Sequence, residues 1–309
     1  MSKHLVLMDH DGGIDDYLSA ALLLTMEHVR LIGIVVTPAD CHIEPAASAT
    51  CKLLDLMGCT DVPVAKSTVR GLNPFPHMFR RDAFMVDRLP LLNDRPVRVS
   101  SPASESGQNV MVRLLREAPG PVTLLVTSPL TTVAAALDLA PDIEAKIGQI
   151  VWMGGALQAP GNVDADMEGG QGLLAEWNAY WDPEGAARVW QTRIPIVMCP
   201  LDLTNKAPVT AEFVSRLGRQ RQHPLSDLAS QCYGYALIAH QGYFLWDVLT
   251  TAYLGQPEWF EVREWETEIV TEGIHQGQTR VVPGGRRIQA LAGVEMGRFY
   301  DYVAEQWAR

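Results

Sequence analysis

Basic residues are the first shortage in this 309-residue chain: 25 lysines and arginines stand against 36 aspartates and glutamates, a formal net charge of −11. Nucleic-acid binding relies on basic surface to displace counterions from phosphates, so a polyanionic partner is not expected. A nucleoside, which carries no phosphate, stays open. Cysteine is also sparse. Cys41, Cys51, Cys59, Cys199 and Cys232 are odd in number and lack C-x-x-C spacing, so reduced thiols are expected rather than a disulfide framework or a zinc site. Long apolar runs are missing, and no stretch reaches the roughly 20 residues a membrane crossing takes. Internal repeats and low-complexity tracts are missing too. A strand pattern begins at His4 and leaves no room for a signal peptide, so a cytoplasmic protein with no membrane partner is the expectation.

What is present is an ordinary globular composition, 47% hydrophobic and 20% charged, with ample material for a core. The length suits one large α/β domain or two smaller ones, and a single domain over residues 1–309 is the expectation. Short, nearly continuous apolar runs at 4–9, 30–37, 62–66, 122–127, 148–153 and 194–199 read as strands covered on both faces. Helical patterns fall between them at 15–27, 43–58, 105–118, 131–140 and 183–191. That alternation predicts an α/β fold: a doubly wound, mostly parallel central sheet with helices on both faces. Residues 67–104 and 156–176 lack regular pattern and read as binding loops. Beyond 205 the chain reads as helical to about 253. A strand-like pair (EWETEIVTEG and QTRVVP) and a terminal helix follow.

Ligands of such sheets bind beyond the carboxyl ends of the strands. Five strand ends here read DHDGGIDD, TPADC, TSPLTT, MGGALQ and CPLDLTN. The plain reading is that loops are polar. The concentration of Asp, Thr and Gly favours a site. In the first of these ends, Asp9, Asp11, Asp15 and Asp16 crowd into eight residues. Two carboxylates about 4 Å apart repel by roughly 4 kcal/mol at an effective dielectric near 20. Asp9 and Asp11, two apart, leave the same face of a strand, Gly12 and Gly13 permit a sharp turn, and Asp15 and Asp16 fall in the first turn of a helix. Capping accounts for one of these aspartates or two, but not four. Hard oxygen donors in this number suit Ca²⁺ or Mg²⁺ rather than zinc. His10, on the opposite face, reads as a core residue.

A D-x-D start resembles two families. Haloacid-dehalogenase-like phosphohydrolases share it but usually carry a Thr that Gly12-Gly13-Ile14 does not supply. Nucleoside hydrolases carry D-x-D-x-G-x-D-D, and this chain reads D-H-D-G-G-I-D-D. Later segments follow in order: TSPLTTVAAAL (127–137), VWMGGA (151–156), GN at 161–162, AEWNAYWDPEGAARV (175–189) and LWDVLTTAYL (245–254). The chain is identified as a member of the nucleoside hydrolase family. D-H-D-G, T-x-A-D-C around Asp40, N-P-F-P at 73–76 and E-W-N-x-Y-W-D-P at 176–183 resemble the purine-specific, inosine-adenosine-guanosine-preferring branch. Pyrimidine-accepting branches usually carry His immediately before the late aspartate, where this chain has Trp246 before Asp247.

The resemblance implies a purine N-ribohydrolase in which Asp11, Asp16, the Thr127 carbonyl and Asp247 hold one Ca²⁺, with Asp11 the general base. It implies that Asp15, Asn162, Glu176 and Asn178 bind ribose hydroxyls, with Met153 against the sugar. Trp246 and Phe79 would flank the base, and Asp40 would contact it. Phe79 stands where the branch has Trp, and Gly13 where it often has Asn. Residues 219–245, with Tyr233, His240, Tyr243 and Arg221, are expected to form a mobile lid, and one of these residues is a candidate acid after closure. The implied partner is a small nucleoside, and a homodimer is the implied assembly. A divalent-metal phosphohydrolase and a non-catalytic nucleoside or sugar binder are the alternatives.

Overall fold

The computed structural model describes residues 3–94, 100–163, 174–240 and 242–309. Among them, nine strands form one sheet: β1 (His4–His10), β2 (Val29–Val36), β3 (Val64–Lys66), β4 (Val122–Val126), β5 (Ile147–Met153), β6 (Ile196–Cys199), β7 (Glu261–Ile269), β8 (Thr279–Val281) and β9 (Arg286–Gly293). Their order is β3-β2-β1-β4-β5-β6-β9-β7-β8. Pairing is parallel from β3 through to β9, and antiparallel between β9, β7 and β8.

Alternate residues of the central strands feed two separate apolar clusters. Val6, Met8, Ile34, Val36, Leu125 and Val151 join helices Ile14–Leu24, Ile43–Leu56 and Trp246–Gly255 on one face. Leu7, Val35, Leu124, Val126, Ile150 and Trp152 join helices Gly107–Glu117, Thr131–Leu139 and Pro183–Trp190 on the other. Burial on both faces explains why these strands read as continuous apolar runs instead of alternating ones.

The six expected strands and five expected helices are all present, the strands within two residues of their expected bounds. Three segments differ. Residues 67–104 hold helices His77–Arg80 and Asp82–Arg88 and a 3₁₀ turn, Pro90–Leu92. Ala83, Val86 and Leu92 pack into the main core, and buried Lys52 donates to Asp87 Oδ1 at 2.8 Å. Residues 219–245, expected as a lid, contain helix Pro224–Ala239, whose Leu228, Cys232, Tyr233 and Ala236 are buried. Its apolar face belongs to the core. β9 lacks an apolar run because Arg286, Arg287 and Gln289 alternate with Ile288 and Ala290. It nonetheless joins β6 to the C-terminal strand pair. Of the irregular 156–176 stretch, residues 164–173 lie outside the described residues.

The turn from β1 into the first helix needs one glycine rather than two. Gly12 has φ +80°, and a Cβ there would stand 2.7 Å from Cys41 Cβ and 2.9 Å from Ala46 Cβ. Gly13 is extended, with φ −64° and ψ 165°. Gly12→Ala is expected to cost about 2–4 kcal/mol, combining left-handed strain with overpacking. Urea unfolding checks this, and a loss below about 1 kcal/mol would show that the turn relaxes around a side chain.

Candidate active site

β1 continues to β2 on one side and is flanked by β4 on the other, so the topological switch lies between β1 and β4. The carboxylates collect there. Asp9 ends inside β1, Asp11 follows it, and Asp15 and Asp16 occupy the first turn of helix Ile14–Leu24. Thr127 follows β4, and Asp247 lies in the first turn of helix Trp246–Gly255. All of them are buried.

Backbone and hydroxyl donors hold Asp9, Asp11, Asp15 and Asp16. Asp9 Oδ1 accepts from Thr37 Oγ1 at 2.7 Å. Asp11 Oδ2 accepts the Asp40 N–H at 3.2 Å. Asp16 Oδ2 accepts the Gly13 N–H at 2.8 Å, and its Oδ1 accepts from Thr127 Oγ1 at 2.6 Å. Asp15 Oδ2 accepts the N–H groups of Asp247 and Val248 at 2.6 and 3.1 Å. Asp15 Oδ1 accepts from the Tyr233 hydroxyl. Tyr243 Oη accepts the Asp15 N–H at 3.2 Å. Residue 247 is thereby fastened to the N-terminal cluster, more than 200 residues away in sequence. His10, as expected, is a core residue, bonded through Nε2 to Thr50 at 3.0 Å.

A second group lies beside the end of β5. Glu176 caps helix Trp177–Trp181 and accepts the N–H groups of Asn178, Ala179 and Gly155 at 2.9, 3.2 and 2.8 Å. Asn178 Nδ2 donates to the Met153 carbonyl at 3.1 Å and to the Thr127 carbonyl at 3.3 Å. Met153 and Asn178 therefore meet the Thr127 end of the first group. Asn162 is more exposed, and its Oδ1 accepts the Trp177 N–H at 3.1 Å.

Aromatic rings flank these polar groups in a series of contacts. Trp246 packs on Tyr243 at 4.8 Å between centroids, Tyr243 on His240 at 5.3 Å, His240 on Phe79 at 5.9 Å, and Phe79 on Trp177 at 6.5 Å. Phe79 and Trp246 are thus separated along this series by His240 and Tyr243. Trp246 Nε1 in this series, and Oδ1 of Asp40 beside Asp11, are buried with no protein partner among the described residues. Tyr233 is the contributor the sequence did not single out for this role. It sits in a helix whose apolar spacing reads only as core.

Burial raises the carboxyl pKa values of Asp9, Asp11, Asp15, Glu176 and Asp247. Desolvation is the main cause at Asp11 and at Asp247, with the Asp16 charge next, and both lie well above the usual range. Asp9 is pushed up to about 8, and Asp15 and Glu176 to about 7, against their hydrogen bonds. Asp11 and Asp16 stand within hydrogen-bonding reach of each other, a contact that needs a shared proton or a bridging cation. Among the described residues no ion pair reaches Asp11, Asp16 or Asp247. No three His, Cys, Asp or Glu side chains there are drawn into a finished chelate either. The donors are all oxygens, which fits a hard divalent cation.

A doubly wound sheet with buried carboxylates at its switch point and an aromatic flank is the framework of an α/β small-molecule enzyme. The chain belongs to the inosine-uridine preferring nucleoside hydrolase family, whose model matches residues 6–301. It is similar to an inosine-uridine preferring nucleoside hydrolase from Bacillus anthracis, with 39% identity, 99% of each chain covered and a TM-score of 0.92. It is 31% identical to the pyrimidine-specific ribonucleoside hydrolase RihA of Citrobacter koseri, over 98% of this chain and 97% of that one. A purine-preferring ribonucleoside hydrolase from Gardnerella vaginalis shares the fold, at 23% identity, 98% coverage of each chain and a TM-score of 0.79. Among the described residues no helix is long and apolar enough to cross a membrane.

The raised carboxyl groups set a pH trend. A folded-state pKa near 7 or 8 against an ordinary value near 4 means that the native protein holds protons the unfolded chain releases. Stability of the cation-free protein therefore falls as pH rises from about 5 to about 8, and an added divalent cation should offset the fall. Thermal unfolding with chelator and with added cation checks both. A cation-free Tm that is flat or rises across that window would contradict the assignment.

Proposed function

We propose that the chain hydrolyses the N-glycosidic bond of purine ribonucleosides (inosine, adenosine and guanosine), releasing free base and ribose, with Ca²⁺ as cofactor. The observation that carries this reading is the hydrogen bond from the Asp247 N–H to Asp15 at 2.6 Å, because it brings the late aspartate to the amino-terminal cluster. In this reading Asp11, Asp16, Asp247 and the Thr127 carbonyl hold the cation. When bound, Ca²⁺ would supply an acidified water and coordination positions for a sugar diol. Asp11 takes the water's proton as general base. Asp15, Glu176, Asn178 and Asn162 orient the ribose through its hydroxyls, and Met153 packs against the sugar. The surrounding carboxylates favour the positive charge that grows on the ring as the bond to the base breaks.

Trp246 and Phe79 flank the base, and Asp40 Oδ1, buried without a partner, accepts from it. Tryptophan before Asp247, in place of histidine, supports a purine over a pyrimidine because a larger base stacks over more ring area. The pyrimidine specificity in the name of the 31%-identical relative supports a second reading, in which pyrimidine ribonucleosides are the substrates, and a substrate panel separates the two. Single-domain, homodimeric and cytoplasmic organisation belong to the same proposal.

A reducing-sugar assay on purine and pyrimidine nucleosides, with and without chelator, tests it. Purines should be cleaved faster, and chelator should abolish turnover. Asp11→Ala should lower kcat by at least about 100-fold; retention of more than about a tenth of the rate would exclude it as the base. Trp246→Ala should reduce kcat far more than it raises KM, and equal losses would mean that the ring only binds substrate.

A further inference from the structure

We infer that Asp202 is a positioning residue for Trp246, acting through the loop that follows β5. The inference rests on the nucleosidase reading above, in which Trp246 flanks the base. In that loop the backbone N–H groups of Leu157, Gln158 and Ala159 all donate to one carboxylate. Asp202 Oδ2 accepts from Leu157 at 2.8 Å, and Oδ1 accepts from Gln158 and Ala159 at 2.8 and 3.1 Å. Successive N–H groups that converge in this way form a concavity of partial positive charge, and here the chain fills it with its own anion. Asp202 lies in helix Leu201–Thr204, just after β6. The neighbouring Leu201 N–H donates to the Gly155 carbonyl at 3.0 Å, so the loop is tied to that helix at both of its ends.

The tied loop supports the ring. Met153, Ala156 and Leu201 are buried together, and Ala159 and Trp246 pack partly buried against them. Tyr243 and Phe244 pack on Trp246 at 4.8 and 5.3 Å between centroids. The indole is therefore bounded by two aromatic rings and by the cluster that the loop helps to build. Leu157 and Ala159 are only half-buried and Gln158 is exposed, so little apolar burial anchors this stretch. The three bonds to the Asp202 carboxylate fix where it meets Trp246. Without that carboxylate the N–H groups turn to water at little cost, because they lie near the surface, and the indole gains freedom beside the base. The start of the loop keeps its own tie, from the Gly155 N–H to Glu176 Oε2 at 2.8 Å, so the ribose side holds its place. A purely structural alternative has Asp202 joining the loop to helix Leu201–Thr204 with no effect carried through Trp246.

A double-mutant cycle tests this, read as kcat on the nucleoside that the wild type cleaves fastest. A displacement of about 1 Å in a group that orients substrate costs up to about 100-fold in rate. Asp202→Ala should lower kcat by about tenfold and leave KM within about threefold. In the Trp246→Ala background the same change should lower kcat by less than about twofold, because the ring through which it acts is gone. Asp202→Asn, which keeps one acceptor oxygen, should lose about threefold and show the same collapse in that background; it decides the matter if Asp202→Ala does not fold. Losses that multiply in the double variant, or no loss in the single ones, would overturn the positioning role and leave the nucleosidase reading intact. A wild-type protein that releases ribose from no nucleoside would refute the nucleosidase reading, and this inference with it.

Discussion

Like charges buried together are the constraint around which this molecule is arranged. Asp11 and Asp16 stand within hydrogen-bonding reach of each other, with Asp15 and Asp247 adjoining. Carboxylates this close repel by several kcal/mol at the dielectric of a protein site. The fold offsets part of that with fixed donors. The N–H groups of Gly13, Asp40, Asp247 and Val248 and the hydroxyls of Thr127 and Tyr233 all point into the cluster. Helices Ile14–Leu24 and Trp246–Gly255 begin at this spot, so the positive ends of two dipoles add to the same effect. These are partial charges, and the formal negative charge that remains is what a hard cation would neutralise.

The architecture follows from where those donors must come from. A parallel sheet brings the ends of β1, β4 and β5 to one edge, and the switch between β1 and β4 opens a crevice there. Helix Trp246–Gly255 packs against helix Ile14–Leu24, and that packing, backed by the buried Ser19–Thr251 hydroxyl pair, keeps Asp247 beside Asp15. Helix Pro224–Ala239 then locks the arrangement through Tyr233. The β5 side is braced separately, by Glu176 capping its own short helix and gripping Gly155. Cluster and brace meet at the Thr127 carbonyl, which accepts from Asn178.

Much of this is legible in the sequence because the strands are apolar on both faces and their ends are rich in Asp, Thr and Gly. Local pattern reports such features directly. Strand β9 was hidden because an arginine-flanked strand on the less buried side of the sheet has no continuous apolar run. The short helices at 77–88 were hidden because Pro and Arg mask a pattern in which Ala83 and Val86 are the fully buried apolar residues and Met85 packs partly buried against the core. Tyr233 carries no polar signature at its own position. Its partner is Asp15, and a contact across 218 residues belongs to the fold rather than to any local motif. Within the segment expected as a lid at 219–245, helix Pro224–Ala239 buries the small residues Ala229, Cys232 and Ala236.

The aromatic flank and the acidic floor make opposite demands on a ligand. The floor, with its raised carboxyl groups, favours hydroxyls and developing positive charge. The flank offers ring faces and the Trp246 Nε1 donor, and the Asp40 Oδ1 acceptor stands beside Asp11; neither atom has a protein partner among the described residues. Each such orphan costs about 1–3 kcal/mol in a closed site, so a ligand that meets both recovers that cost on binding. A simple sugar fits the floor and has nothing for the rings. A planar heterocycle alone suits the rings and leaves the floor unmatched. A molecule with a diol at one end and a heterocycle bearing both donors and acceptors at the other satisfies the whole surface. Binding energy from the heterocycle can then be spent on holding the glycosidic bond between the two regions.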